Sequence, residues 1–192
     1  MTRSESHVRA GKFALGRSFQ TPKLVVELSV KANAALGAHR LGRVGVLGAM
    51  LPTPLSAREA RSLEEAAING LRSVGLEWAA DRTAGELSLG HRRLLEIARV
   101  IAQKPVAVLL DEPAAGLTRV EKDELVVLLK AMREAGCGLL LVEHDMDLVM
   151  ALADRIQVLE FGKTIFKGSP ERARKDPRVI SAYLGSNVEE SA

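Results

Sequence analysis

The 192-residue chain has one cysteine and no long apolar run, and both shortages limit what it can be. A lone cysteine, Cys137, excludes an internal disulfide framework and suits a reducing compartment. Its place between a predicted helix and a predicted strand indicates a loop thiol. The longest apolar stretches, 106–110 and 139–142, are strand-sized and fall well short of the about 18 residues that span a membrane. Any role at a membrane therefore has to come through a partner.

A large charge of one sign and a secretion signal are also missing. The formal net charge is +3, with the two signs interspersed, whereas nucleic-acid-binding proteins concentrate Lys and Arg in a stripe. The two most basic groupings, 91–93 and 171–178, are interpreted as solvated helix faces, so no nucleic-acid partner is predicted. Residues 1–11 are polar and lack the apolar core of a signal peptide. The length predicts one domain over residues 1–192 with a sizeable core.

Three zones follow one another along the chain. Residues 1–23 are polar and punctuated by glycine, residues 24–86 have a mostly helical pattern, and residues 87–192 alternate helices with apolar strands. The clearest helix start is 56–59, Ser-Ala-Arg-Glu, which has the form of a capping box. Gly75 is the predicted end of that helix.

The third zone predicts an α/β fold. Residues 106–110 and 139–142 are continuous β-prone runs, typical of strands buried on both faces of a parallel sheet. Strand, helix, strand, helix order implies right-handed crossovers, with function at the carboxyl ends of the strands. Further on, 155–160 and 163–167 predict a hairpin, and 168–170, Gly-Ser-Pro, predicts the start of a terminal helix.

Polar residues follow both apolar strands directly. Asp111 and Glu112 follow the first, and Glu143, His144 and Asp145 follow the second. In one crevice, an aspartate can hold Mg²⁺ through water, a second carboxylate can polarise an attacking water, and a histidine can steady a phosphate. The alternative is that the acids are ordinary turn residues and the histidine a structural one. Their coincidence at two consecutive strand ends favours the functional interpretation.

Residues 87–91, Leu-Ser-Leu-Gly-His, stand directly before a predicted helix. Free amides at the helix start, the positive end of its dipole and the absence of a side chain at Gly90 would suit an anion, with Ser88 beside it. Taken alone, the segment is equally a simple capped helix.

Together these segments resemble the ABC-type ATPases over residues 8–185. The resemblance implies roles for four residues that act on ATP held by the same subunit. Gln20 would be the Q-loop glutamine near the metal and the water, and Asp111 of the Walker B strand would be the Mg²⁺ ligand. Glu112 would be the catalytic base and His144 the switch histidine.

Two further segments resemble motifs that act across a dimer on the partner's ATP. The signature segment is Leu87, Ser88, Leu89, Gly90 and His91, and the D-loop is Ala115, Gly116, Leu117 and Thr118. His91 stands where the family usually has glutamine, and Thr118 where it usually has aspartate or asparagine.

Residues 111–117, 143–146 and 182–185 resemble the ATPases of branched-chain amino-acid importers. This resemblance implies a P-loop NTPase fold: a parallel sheet, a helical subdomain over 24–86, and a C-terminal hairpin plus helix. It also implies ATP and Mg²⁺ as cofactors. The implied partners are a second ATPase subunit, membrane permease subunits and, indirectly, a periplasmic binding protein. The implied location is the cytoplasmic face of the plasma membrane.

The phosphate-binding P-loop, G-x-x-x-x-G-K-[ST], does not occur in the sequence. The expectation is therefore an N-terminally truncated, incomplete fold, with the family's opening strands upstream of Met1. Two functions remain open. The chain is either a transport-coupled ATPase subunit or a non-hydrolysing partner or gene remnant that supplies only the signature segment and D-loop. In both cases we expect it to be inactive alone.

Overall fold

The computed structural model describes residues 15–17, 24–38 and 54–182, which fall into two compact units, Met1–Glu143 and His144–Ala192. The strands and helices of the first unit are β1 (Leu15–Arg17), α1 (Val30–Ala38), α2 (Pro54–Ser73), α3 (Leu89–Ile101), β2 (Ala107–Asp111), α4 (Arg119–Glu134) and β3 (Gly138–Val142), with 3₁₀ turns at Glu77–Ala79 and Ala84–Glu86. Those of the second unit are α5 (Met146–Leu152), β4 (Ile156–Glu160), β5 (Lys163–Gly168), α6 (Pro170–Ala173) and a further helix over 177–182.

The predicted parallel sheet is present, in the order β1-β2-β3. β2 is the middle strand, and Val108 and Leu110 point to its buried face with 2% and 1% of their surface exposed. Val106 precedes the strand and is exposed. The prediction of a strand buried on both faces is therefore confirmed for one face of β2 only.

The prediction of a fully buried β3 is wrong. Leu140 and Val142 are 63% and 52% exposed, while Leu139 and Leu141 are half-buried. Among the described strands β3 pairs with β2 alone, so it lies at an edge of the sheet. An apolar run in the sequence does not reveal which helices will pack on its strand, and it is packed helices that cover the faces of a parallel sheet.

The helical zone packs α1, α2 and α3 against one another. α2 begins at Pro54, so Ser56 lies inside its first turn and the predicted cap there is wrong; proline is well suited to a first helical position because its φ is already helical. The predicted end is confirmed, since α2 stops at Ser73 and Gly75 has a φ of +69°. None of the described helices is both long and apolar enough to cross a bilayer.

Glycines allow α1 and α2 to approach the backbone of α3. A Cβ on Gly37 would lie 1.9 Å from the carbonyl oxygen of Arg99, and one on Gly70 would lie 2.6 Å from that of Ala98. Small residues surround this contact, with Ala38, Ala66 and Ala102 forming a buried cluster. The three helices therefore meet backbone to backbone.

We expect Gly37→Ala to destabilise the chain by at least about 1–3 kcal/mol, because α1 has to move away from α3 to admit the methyl group. Gly138→Ala is the matched control, since a Cβ there meets the Cβ of Ala107 at an ordinary 3.5 Å. Urea denaturation followed by circular dichroism measures both. Equal midpoints for the two variants would contradict the expectation.

A turn over residues 25–29 connects the start of α1 to the segment that precedes α3. Asn33, fully buried, accepts a hydrogen bond from the Val25 amide at 2.9 Å and donates to the Val25 carbonyl at 2.9 Å. Backbone bonds then tie this turn to residues 80–85, among them Val30 N to Arg82 O and Gly85 N to Val26 O, both 2.9 Å. The chain that leads into residue 87 is thereby fixed to the helical layer.

The second unit contains the predicted hairpin and terminal helix. β4 and β5 pair antiparallel, with a bulge at Val158 and Leu159 and left-handed residues Phe161 and Gly162 in the turn. α6 begins at Pro170, as predicted. Ahead of the helix over 177–182, a hydrogen bond from the Arg178 guanidinium lowers the pKa of Asp176 to about 2.

Candidate functional site

The signature segment, residues 87–91, folds as a helix cap. Ser88 is exposed, and its Oγ accepts a hydrogen bond from the His91 amide at 3.2 Å, which satisfies one of the free donors of the first turn of α3. Leu87 is buried and anchors the segment, whereas Leu89 is 64% exposed. The start of α3 therefore presents a hydroxyl, helical amides and the positive end of a dipole on the surface.

The D-loop, residues 115–118, forms the turn into α4. Gly116 has a φ of +76°, a left-handed conformation that a residue with a side chain rarely adopts. Thr118 caps α4 in a complete capping box: its Oγ1 accepts from the Glu121 amide, and the Glu121 carboxylate accepts from the Thr118 amide at 2.7 Å.

The signature segment and the D-loop lie directly against each other. A Cβ on Gly90 would be 3.2 Å from the Gly116 carbonyl oxygen, and one on Gly116 would be 3.4 Å from Cδ2 of Leu89. His91 Nε2 faces Glu121 Oε1 at 3.6 Å. The fold thus unites two segments that are more than twenty residues apart in sequence into one surface.

The carboxylates after β2 lie on a turn that is fixed to β3. Asp111 is in register with Val142, and the Glu112 amide donates to the Val142 carbonyl at 2.9 Å. Glu143 Oε1 accepts from the Ala114 amide at 3.0 Å, which holds the other side of the turn.

Glu112 has a φ of +46°, a left-handed conformation that costs a non-glycine residue about 1 kcal/mol or more. Strain of this kind persists where the surrounding structure imposes it. At the first position after a parallel strand it aims a carboxylate away from the direction that an extended continuation would give.

The remaining predicted residues are placed as follows. Gln20 lies outside the described residues. His144 begins the second unit and is exposed; Asp145 beside it caps α5 by accepting from the Leu148 amide at 3.1 Å. Cys137 lies between α4 and β3, as predicted, and burial raises the pKa of its thiol.

A protein-only metal centre is not present among the described side chains, since no three His, Cys, Asp or Glu groups converge there. Asp111 remains the predicted Mg²⁺ ligand, which suits an ion that keeps several waters and takes its other ligands from phosphates. Residues 162–164, Gly-Lys-Thr, share the ending of a P-loop, but they turn the β4–β5 hairpin and open no helix.

Sequence analysis missed Glu121, which contacts both the D-loop and the signature segment. The signal was available, because Thr118 to Glu121 has the same capping-box form that was assigned to 56–59. It also missed Trp78, 56% exposed, whose ring meets that of His91 edge-on with centroids 5.7 Å apart. No periodicity in the sequence brings these two residues together.

Comparison with known proteins relates this geometry to a family. A family model described as ABC transporter matches residues 4–115, and one described as branched-chain amino acid ATP-binding cassette transporter matches residues 163–189. The chain is 41% identical over 170 residues to the high-affinity branched-chain amino acid transport ATP-binding protein BraF of Pseudomonas aeruginosa, across 88% of this chain and 67% of that relative. The chain belongs to the ATP-binding subunits of ABC transporters.

Other relatives agree with this membership and with its branched-chain amino acid branch. LivG of Escherichia coli K12, also a high-affinity branched-chain amino acid transport ATP-binding protein, is 39% identical over 170 residues, again across 88% of this chain and 67% of the relative. A crystal structure of a nucleotide-free ATP-binding cassette from an ABC transporter superposes with a TM-score of 0.72 at 27% identity, over 91% of this chain and 70% of that one. The predicted P-loop NTPase fold class is thereby confirmed.

Proposed function

We propose that this ABC subunit serves an importer of branched-chain amino acids and that it couples ATP hydrolysis to transport. The names of the relatives and the match over 163–189 support the solute. In this proposal the chain pairs with a second ATP-binding subunit beneath membrane permease subunits, on the cytoplasmic face of the membrane. A periplasmic binding protein would deliver the amino acid from the other side.

The observation that carries the mechanistic part is the direct packing of the signature segment on the D-loop. Both belong to the first unit, and a Cβ on Gly90 would lie 3.2 Å from the Gly116 carbonyl oxygen. The sequence has no G-x-x-x-x-G-K-[ST] segment to hold a nucleotide of its own. We therefore propose that this surface acts in trans, on ATP held by the neighbouring subunit.

The chemistry of the surface suits a terminal phosphate. The Ser88 hydroxyl, the exposed amides of the first turn of α3 and its dipole would bind the negative oxygens. The D-loop beside it would contact the same nucleotide through Gly116 to Thr118. Hydrogen bonds aimed at a transferring phosphoryl group stabilise the charge that develops on it.

The strand-end residues would act on a nucleotide at the chain's own sheet edge. Asp111 would hold Mg²⁺ with Gln20, and Glu112 would accept a proton from the attacking water while His144 steadies the phosphate. When bound, Mg²⁺ neutralises charge on the β- and γ-phosphate oxygens. These roles need a P-loop in the same nucleotide site, so we propose that they are idle in this chain unless another segment supplies one.

The trans function predicts nucleotide-dependent association with an intact subunit. We expect the chain to associate with the Pseudomonas aeruginosa relative when a non-hydrolysable ATP analogue and Mg²⁺ are present, and not without the analogue. Ser88→Arg removes the hydroxyl and fills the site with a long side chain, so it is expected to abolish this association by steric exclusion. Analytical ultracentrifugation of the two proteins, alone and mixed, measures it.

The matched control is Ser73→Arg, the same exchange at an exposed serine in the last turn of α2, where a cation is favourable to the helix dipole. It is expected to associate like the unchanged chain. Association that survives Ser88→Arg, or that does not depend on nucleotide, would overturn the trans function.

The second candidate is an ordinary hydrolysing subunit, favoured by the presence of Asp111 and Glu112 at the end of β2. Reading the DNA upstream of the Met1 codon separates the two. An in-frame segment that encodes a P-loop would support hydrolysis in the chain's own site, whereas its absence in every frame supports the partner role.

A further inference from the structure

We propose that Glu121 is a positioning residue that, through His91, holds the signature segment and the D-loop together as one rigid phosphate-facing surface. The role of this surface in binding phosphate rests on the proposed function. The link between the two segments does not depend on that function, and it can be tested without nucleotide or partner.

The two carboxylate oxygens of Glu121 serve different elements. Oε2 accepts from the Thr118 amide at 2.7 Å and from its hydroxyl at 2.8 Å, which fixes the last residue of the D-loop. Oε1 faces His91 Nε2 at 3.6 Å and so reaches the last residue of the signature segment. One side chain therefore joins the first turn of α4 to the first turn of α3.

The contact leaves little room for independent movement of the two segments. A Cβ on Gly90 would come within 3.3 Å of both carboxylate oxygens and within 3.2 Å of the Gly116 carbonyl. The Glu121 side chain is only 17% exposed, and that of His91 is 34% exposed. A shift of either turn would have to break the His91 contact or compress these atoms.

Neighbouring groups hold His91 and Glu121 in place. The Trp78 ring meets the imidazole edge-on, and the Arg82 guanidinium lies over the Trp78 ring, 4.9 Å from its centre. Hydrogen bonds from the Thr118 amide and hydroxyl lower the pKa of Glu121, and the electrostatic interaction with His91 lowers it further. The carboxylate is therefore ionised, and able to serve both segments, at neutral pH.

Capping of α4 alone does not explain this arrangement. A capping box needs the Glu121 side chain to reach the Thr118 amide, and Thr118 to reach back, and neither bond involves α3. His91 is the additional contact. A change at His91 leaves every cap bond of α4 intact, so an effect at the Thr118 amide reports the link between α3 and the D-loop and not the loss of the cap.

Amide hydrogen exchange, followed by NMR in the full 192-residue chain, tests the proposal. We expect His91→Ala to speed exchange at the Thr118 amide about two- to fivefold, the range expected for loss of one weak, partly exposed polar contact. His91→Gln keeps a side-chain donor toward Oε1 and is expected to restore slow exchange. Glu124→Gln, at an exposed carboxylate on the same helix, should leave Thr118 unchanged.

Unchanged exchange at Thr118 in His91→Ala would overturn the proposal, and so would equal acceleration in His91→Gln. Exchange at the Leu110 amide, in the middle of the sheet, reports global stability in the same spectra and should not change. If His91→Ala does not fold, His91→Gln is compared with the unchanged chain instead. The proposal then requires exchange at the Thr118 amide to be as slow in His91→Gln as in the unchanged chain. Failure of nucleotide-dependent association alone would count against the trans function and not against this link.

Discussion

Replacing Glu96 by alanine is expected to lower the free energy of unfolding by about 3–5 kcal/mol. Arg93 Nη1 and Glu96 Oε2 are 3.1 Å apart, one helical turn from each other on α3, and both side chains are only 4% exposed. Removing the carboxylate takes one countercharge away from a guanidinium that is almost fully buried. Urea denaturation of the full chain, followed by circular dichroism, measures the loss.

Two controls separate this charge effect from simple truncation. Glu124→Ala removes the same carboxylate from an exposed position on α4 and is expected to cost less than about 0.5 kcal/mol. The double variant Arg93→Met with Glu96→Leu fills the same space with apolar groups and should regain most of the stability. A Glu96→Ala variant within about 1 kcal/mol of the unchanged chain would contradict the expectation.

The purified chain is expected to release no phosphate from ATP above the buffer rate. The sequence contains no P-loop pattern, and the partial match at 162–164 lies in the turn and second strand of a hairpin. Asp111 and Glu112 lie at the end of β2, but the general base proposed at Glu112 would accelerate hydrolysis only with a nucleotide held in reach of it. A steady-state phosphate-release assay with ATP and Mg²⁺ measures this.

The control must exclude a contaminating ATPase, which would release phosphate without using this chain. Any activity in the preparation should therefore be the same in Glu112→Gln as in the unchanged chain. Hydrolysis that disappears in Glu112→Gln but persists in Glu124→Gln would sink the prediction and show that the chain holds ATP by itself.

Features set by local sequence were predictable. The run that forms β2, the helix that follows residue 88 and the proline that opens α6 each depend on neighbours a few residues away. The order of the strand-end carboxylates followed from the same local pattern, because chain direction alone puts Asp111 and Glu112 at the carboxyl end of β2. The local pattern does not predict what these carboxylates do; their roles were predicted from the family resemblance.

Features set by distant neighbours were not predictable. The exposure of Leu140 depends on what packs on that face of β3, and nothing in residues 139–142 records that packing. The contact between Glu143 and the Ala114 amide joins residues 29 apart in sequence. The capping-box pattern occurs at several places in the chain, and the pattern alone does not say which of them begins a helix: Thr118 caps one, while Ser56 lies within one because Pro54 begins it.

The glycine contacts of the helical layer have a mechanical consequence. With Gly37 and Gly70 pressed on the carbonyls of Arg99 and Ala98, the far end of α3 is clamped, while its first residue carries the signature segment. The 13 residues of α3 form a stiff rod about 20 Å long. A displacement of α1 or α2 at these contacts would therefore be carried along α3 as a rigid-body movement, with no bend in the helix.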